Sequence, residues 1–346
     1  MTRPFVVVGA TGHTGRFVVA ELARRGLPLR LVGRTEAALT ELAARLSGSG
    51  GAEVRVSDLT TPSIDHALEG AAAVLHCAGP FLDTAAPVIE AALRARVHYL
   101  DVTAEQGAAL STFERYAEPA RTAGISIIPA MSFYGGLADL LATAALADWP
   151  GSDELNDELS ADEIDVAVAL DSWHPTEGTR LTGQRNTLRR QIVVDHQLAP
   201  LPDPAPRLSW SFAAPFGTQD VVMLPLTEVI TIHQHIRTAQ LRSYMNLTPL
   251  AELRDPSTPA PVAVDAIGRS AQQFLVEVRV RRGDSSRLAR ASGQDIYAIT
   301  APILVEAATR LATGRTRDAS PGVAAPGERF DARDFLAALP LTVEYA

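Results

Sequence analysis

The chain has 346 residues, 47% of them hydrophobic and 21% charged, with a formal charge of −9. That describes a folded chain of about two domains, too apolar for disorder and too acidic for a phosphate-dominated nucleic-acid interface. All 31 basic residues are arginine, which excludes every mechanism that needs a lysine amine, and the single cysteine, Cys77, excludes an internal disulfide and a cysteine-built metal site.

The longest stretch without a charged residue, Thr122 to Ala138, contains Pro129, Gly135 and Gly136, so no membrane span is expected. With an apolar strand starting at Phe5, no signal peptide is expected either, and the cytoplasm is the expected compartment. That strand, Phe5-Val-Val-Val8, reads as buried on both faces. It runs into Gly9-Ala-Thr-Gly12-His-Thr-Gly15, and Arg16 to Arg25 follows with helical spacing before Gly26. Strand, glycine loop and helix in that order form a dinucleotide fingerprint. Gly9 permits the tight turn, Gly12 lets backbone amides approach a pyrophosphate, and Gly15 lets the helix lie close to the sheet. Thr11, His13 and Thr14 complete the loop as expected cofactor contacts.

A second strand, Leu29 to Val32, ends in Gly33-Arg34-Thr35. An acidic residue there would hold a ribose 2′-hydroxyl; Arg34, with the Thr35 hydroxyl, suits a 2′-phosphate, so NADP(H) is the expected cofactor. Helix Ala37–Leu46 and strand Glu53–Val56 come next, ending in Ser57-Asp58-Leu59, where such folds often contact adenine; Asp58 reads equally well as a turn cap. After a helix at Ile64–Glu69, strand Ala73–His76 ends in Cys77-Ala78-Gly79-Pro80-Phe81, a small-residue loop suited to the nicotinamide ribose. Cys77 reads as a packing residue. Helix Ala86–Arg96, strand and loop His98–Glu105, helix Phe113–Ala123 and strand Ser126–Ile128 complete a doubly wound parallel sheet of about six strands.

The segments GATGHTGR (9–16), VGR (32–34), HCAGPF (76–81), HYLDVTAE (98–105) and IPAMSF (128–133) resemble, in order and spacing, the saccharopine dehydrogenase-like reductases, including trans-acting enoyl reductases. The resemblance continues more weakly through Pro175–Thr179, Pro225–Val229, Thr300–Ala307 and Gly322–Leu339. It implies an α/β fold: an NADP-binding Rossmann domain (1–131 with 298–346, including a returning C-terminal helix) and an inserted α+β substrate and dimerisation domain (132–297). Two positions depart from the family pattern. Ala104 replaces a glycine, and Tyr134 takes the place of an acidic residue, which puts any acid/base role there, and substrate choice with it, in doubt.

In the second domain, eight acidic residues between Asp148 and Asp165 read as a solvated helix and connector. Ile164–Leu170 alternates like a strand, and Thr179 reads as N-cap of a helix, Arg180–Ile192. Its arginines read as surface charge; the sharper view has Thr179 and Arg185 holding an anionic end of the substrate. Pro200 to Pro206 forms an extended loop, Val221–Leu226 and Glu228–His233 read as strands, and Phe274–Arg281 with Arg287–Ala291 as a hairpin. His233 and His235 share a strand face there, but no third ligand follows, so no metal is expected.

Hydride transfer needs alignment, exclusion of water and a proton source. The candidates at the strand ends are Tyr134, Tyr99, Asp101 and Asp139, with Tyr134 preferred and His174 a further donor from the second domain. These readings converge on an NADPH-dependent reductase, expected as a homodimer, acting on an imine or an activated C=C or C=O of a small metabolite or carrier-bound acyl chain. The alternative is a non-catalytic NADP-binding sensor.

Overall fold

Alternation of β-branched runs with amphipathic stretches carries straight into the architecture of the computed structural model, which describes residues 3–46, 51–147, 149 and 159–346. Most of the acidic run, residues 148 and 150–158, lies outside the described residues. Strand β1 (Phe5–Val8) leads through the glycine turn into α1 (His13–Arg24), whose buried side is Val18, Val19 and Leu22. Then come β2 (Leu29–Gly33), α2 (Glu36–Ala44), β3 (Glu53–Val56), α3 (Thr61–Leu68), β4 (Ala73–His76) and α4 (Phe81–Ala95). They are followed by β5 (His98–Asp101), α5 (Gln106–Ala123) and β6 (Ser126–Ile128). A π-helical turn, Phe133–Leu137, opens into α6 (Ala138–Leu146). Next are β7 (Leu159–Leu170), α7 (Glu177–Arg185), β8 (Gln191–Val194), β9 (Gln197–Pro200), β10 (Arg207–Ser211) and β11 (Thr218–Met223). After α8 (Thr227–His235) come β12 (Ile236–Asn246), α9 (Leu247–Arg254), β13 (Gln273–Arg282) and β14 (Ser285–Gln294). The chain closes with α10 (Ile296–Thr313), β15 (Gly322–Val323), α11 (Pro326–Arg329), α12 (Ala332–Ala337) and β16 (Thr342–Tyr345).

Two units result, Met1–Ser132 with Thr300–Ala324, and Phe133–Ile299 with Ala325–Ala346. The first holds a parallel sheet in the order β3-β2-β1-β4-β5-β6-β15. Its central strands β1 and β4 are buried at every position because both faces are covered, whereas the outer strand β3, Glu-Val-Arg-Val, is half-exposed. Val6 and Val8 join the core formed with α3, α4 and α5, while Val7, Leu31 and Leu75 are fully buried on the opposite face. Strand order reverses at β1, which pairs with β2 on one side and β4 on the other, with Val8 opposite both Val32 and His76. Loops at the carboxyl ends of β1 and β4 therefore flank the switch point where such sheets bind ligands.

The sheet has seven strands rather than the expected six. The extra one, β15, pairs Gly322 with Ser126 and is only two residues long, too short to show a period. The segment 298–346, assigned as a whole to the first domain from sequence, is divided. Residues from Ala325 onward lie in the second unit, where β16 pairs antiparallel with β14.

The second unit is built on a mixed sheet in the order β10-β11-β12-β7-β13-β14-β16, with the β8–β9 hairpin joined to β12. Only β12 and β7 run parallel in it. Helix α6 is buried at every position, and the Arg287 guanidinium takes the carbonyls of Ala145 and Ala147 at its end. Two elements differ from the sequence expectation. Residues 180–192 are not one helix: α7 starts earlier, with the Thr176 hydroxyl accepting the Thr179 N–H, and stops at Arg185, leaving Ile192-Val-Val for β8. Glu228–His233 belongs to a helix, α8, despite five β-branched residues among Thr227–Ile232. All six of these are buried, so packing on every side decides the conformation over local propensity.

Candidate functional site

Each fingerprint glycine meets a steric demand. Gly9 has φ +80°, and a Cβ on it would lie 2.9 Å from the Cβ of Ala78 in the loop after β4. A Cβ on Gly15 would lie 2.1 Å from the Gly9 carbonyl oxygen. Gly12 is the N-cap of α1; it brings no capping side chain, and the first turn contains no acidic residue. The positive end of the helix and its leading amides are thus left for an anion, and a pyrophosphate fits this cradle. Gly12 N–H itself donates to Gly9 O at 3.0 Å, so this glycine shapes the turn. Arg16 Nε holds Thr11 O at 3.0 Å, Thr11 and Thr14 are half-buried, and the His13 ring stands edge-on to Phe17 at 5.3 Å.

Arg34 and Thr35 are exposed at the end of β2, and Arg34 has no ion-pair partner among the described residues. Ser57 is buried, its hydroxyl 2.9 Å from that of Ser63 and accepting the Leu59 N–H. Leu59 itself turns the chain at φ +67°. Asp58 is exposed and accepts from the Thr60 hydroxyl, the Thr60 N–H and the Ser63 hydroxyl, which together hold its carboxyl down to about 2. Of its two expected roles the structure builds the turn cap in front of α3.

At the end of β4, burial raises the Cys77 thiol, and Ala78 abuts Gly9. His76 is fully buried, and burial lowers its imidazole to about 3. The Thr84 hydroxyl donates to Ala78 O at 2.6 Å, so neutral His76 donates from Nε2 to Thr84 Oγ1 at 3.1 Å. Gly79 and Pro80 lead into Phe81, the first residue of α4. The first amides of that helix, at Phe81 and Leu82, donate to the buried Glu105 carboxylate at 2.7 and 3.1 Å.

Tyr99 and Asp101, expected as proton sources, are committed elsewhere. Both are buried, and Tyr99 Oη donates to Asp101 Oδ2 at 2.9 Å. Asp101 Oδ1 accepts the Thr103 and Ala130 amides at 3.0 and 2.8 Å. Burial pushes the Asp101 carboxyl up to about 6 and the Tyr99 phenol well above its ordinary value. The pair ties the ends of β5 and β6 together. Asp139 is also engaged: its Oδ1 lies 2.6 Å from His235 Nε2, and its Oδ2 accepts the Gly327 N–H. On α8, His233 and His235 are two residues apart and share no face, and no group of metal-ligating side chains occurs among the described residues.

Tyr134 differs from these. It sits on the π-helical turn, is buried, and its hydroxyl has no hydrogen-bond partner among the described residues. Its ring lies 4.9 Å from Phe133 and 6.0 Å from Trp173. Among the described residues Arg190 Nε and Glu228 Oε2 are likewise buried without a hydrogen-bond partner, although the Glu228 carboxylate is held by the Leu226 N–H on Oε1 and by Ser243; Tyr134, Arg190 and Glu228 lie within electrostatic reach of one another. Burial holds the Tyr134 phenol well above its ordinary value; neighbouring Tyr297 and Glu228 raise it further, and Arg190 opposes them. Burial also raises the Glu228 carboxyl. A hydrogen-bonded wall stands beside Tyr134: Trp173 Nε1 donates to Tyr297 Oη at 3.0 Å, and Tyr297 Oη is 3.0 Å from the Thr179 hydroxyl. Thr179 thus enters the cluster through its side chain, not as the helix N-cap. His174 is half-buried next to Trp173, and Arg185 is exposed in the last turn of α7. Arg190, Glu228, Trp173 and Tyr297 were not legible as site residues; Glu228 at least falls in one of the family-like segments, Pro225–Val229.

The fold and this cradle define the class: a Rossmann-type dinucleotide-binding unit joined to a mixed-sheet unit. More narrowly, residues 5–128 match the family model described as the saccharopine dehydrogenase NADP binding domain, and the cofactor is NADP(H). Relatives described as saccharopine dehydrogenase-like oxidoreductase include that of Bos taurus, 32% identical, and that of Homo sapiens, 33% identical. Each match covers 40% of this chain, and the chain spans 36% of those relatives' own length. The structure of saccharopine dehydrogenase (L-Glu forming) from Saccharomyces cerevisiae is similar over 99% of this chain and 100% of that one, with TM-score 0.65 and 12% identity, a likeness of fold.

Proposed function

We propose that the protein is an NADPH-dependent oxidoreductase that reduces an imine or an activated C=C or C=O of a small metabolite or a carrier-bound acyl substrate. The observation that carries this reading is the buried Tyr134 hydroxyl, unpartnered among the described residues, in a chain whose first unit binds NADP(H). Bound NADPH supplies the hydride; the chain's own residues supply orientation and a proton. Gly9, Gly12, Gly15 and the leading amides of α1 hold the pyrophosphate, and Arg34 holds the 2′-phosphate. Tyr134, kept neutral by its raised pKa, acts as an acid and donates from Oη to the substrate atom that gains negative character. Arg190 Nε–H is a second donor for that atom and steadies the phenolate left behind. Glu228 Oε2 accepts a donor group of the substrate, and Thr179, His174 and Arg185 are candidates for its further contacts.

Stimulated NADPH oxidation by members of a panel of imines, enoyl thioesters and ketones is the expected result. Tight NADPH binding without turnover on the whole panel makes the protein a nucleotide sensor instead. With an accepted substrate, Tyr134→Phe lowers kcat by about 10²-fold and leaves the NADPH Kd unchanged; full turnover in that variant removes Tyr134 as the donor. We further take the protein to work in the cytoplasm as a homodimer, which light scattering on the full chain checks for the oligomer. Among the described residues no helix is long and apolar enough to cross a membrane.

A further inference from the structure

We infer that Glu105 is a positioning residue for the nicotinamide half of NADP(H): it fixes the loop after β4 against the glycine turn. The end of that loop carries no hydrogen-bonding side chain. Ala78 brings only a methyl group, Gly79 has no side chain, and Pro80, the N-cap of α4, makes no capping hydrogen bond. Locally, the Thr84 hydroxyl holds the Ala78 and Pro80 carbonyls, but no local side chain takes the leading amides of α4. The Glu105 carboxylate takes them from the loop after β5, the Phe81 amide on one oxygen and the Leu82 amide on the other.

Glu105 is itself held. Its N–H donates to Thr103 Oγ1 at 3.0 Å, and the Thr103 N–H donates to Asp101 Oδ1, which also takes the Ala130 N–H. Asp101, Thr103 and Glu105 are all buried, with at most 1% exposure. One continuous set of buried hydrogen bonds thus joins the carboxyl ends of β4, β5 and β6. At its near end the braced loop meets the dinucleotide cradle, since a Cβ on Gly9 would lie 2.9 Å from Ala78.

The sheet order then separates the two halves of the cofactor. β2, with Arg34, lies on one side of β1, and β4 lies on the other. A dinucleotide bound across that switch point puts its adenosine half toward β2 and its nicotinamide half toward β4. Glu105 acts on the second half only. Glutamine at 105 keeps the size of the side chain but turns an NH2 group toward one of the two helix amides, so the loop loses one of its two ties.

The test uses the full chain and two ligands, NADPH and adenosine 2′,5′-bisphosphate, which carries the adenosine half with its 2′-phosphate and no nicotinamide. Calorimetric titration of Glu105→Gln is expected to raise the NADPH Kd about tenfold and to leave the bisphosphate Kd within about twofold. A merely structural role for Glu105 weakens both ligands alike, so equal loss overturns the inference, as does an unchanged NADPH Kd. Should Glu105→Gln fail to fold, Thr103→Val, which removes the hydroxyl that anchors Glu105, is expected to shift the same ratio in the same direction by about threefold; an unshifted ratio overturns the inference. The inference rests on the NADP(H) reading, and the wild-type titrations keep the two apart. Wild-type protein that binds neither ligand removes that reading first.

Discussion

In the proposed function, Arg34 is the side chain that sets cofactor choice. It stands exposed where β2 ends, with no ion-pair partner among the described residues. A charge-assisted contact to a phosphate contributes about 1.5–3 kcal/mol. Arg34→Ala is therefore expected to raise the NADPH Kd about 10- to 100-fold while changing the NADH Kd less than threefold, read by fluorescence titration; equal losses for both nucleotides remove its role at the 2′-phosphate. Tyrosines make the complementary point. Tyr99 and Tyr134 both lie near strand ends in sequence, and both are buried. What separates them is the partner. Asp101, two residues on, takes the Tyr99 hydroxyl, whereas the Tyr134 hydroxyl has none among the described residues. Arg190 and Glu228 became visible as neighbours of Tyr134 only once three distant stretches of chain had met.

Among the elements, the order strand, glycine turn, helix at β1 and α1 was legible, although α1 begins at His13 rather than Arg16. The glycines, the buried run and the helix are contiguous, and the physics that demands each is local. Gly15 is the most constrained position: a Cβ there would sit 2.1 Å from the Gly9 carbonyl oxygen, a backbone atom that cannot swing aside. Gly15→Ala is expected to cost about 1–3 kcal/mol of stability and to weaken adenosine 2′,5′-bisphosphate binding at least tenfold; a variant that melts and binds like wild type contradicts the close-packing argument. Element starts were read less well. α4 begins at Phe81 and α5 at Gln106, both ahead of the spans expected from periodicity, because first turns at a site follow hydrogen-bond partners more than apolar spacing. Helix α8 was misread as a strand because its residues suit a pleated sheet and only its burial on all sides favours a helix.

For the whole molecule, two buried titratable groups in the first unit shape stability against pH. Burial pushes the Asp101 carboxyl up to about 6 against about 3.9 unfolded, so its contribution is fully present below about pH 3.9, is lost progressively as pH rises from there through 6, and changes no further above that. His76 works in the opposite sense: folded it titrates near 3, so its neutral burial is free of cost above about pH 6.5 and loses stability as pH falls toward 3. Asp101→Asn keeps the shape of the side chain and removes the first of these. Relative to wild type, its unfolding free energy is expected to rise by about 2 kcal/mol between pH 4 and pH 8, measured by urea denaturation; a difference that stays flat or falls contradicts a buried, raised carboxyl. By itself the sequence determined the parallel nucleotide-binding sheet, the glycine cradle and the arginine at the end of β2, because each follows from residues adjacent in the chain and from the geometry of strand, turn and helix. Tertiary structure alone decided which tyrosine hydroxyl is left without a partner among the described residues, which carboxylate caps α4 from 24 residues away, and where residues 325–346 belong. A buried polar group takes whatever partner the chain's crossings bring within about 3 Å, and no local spacing encodes that.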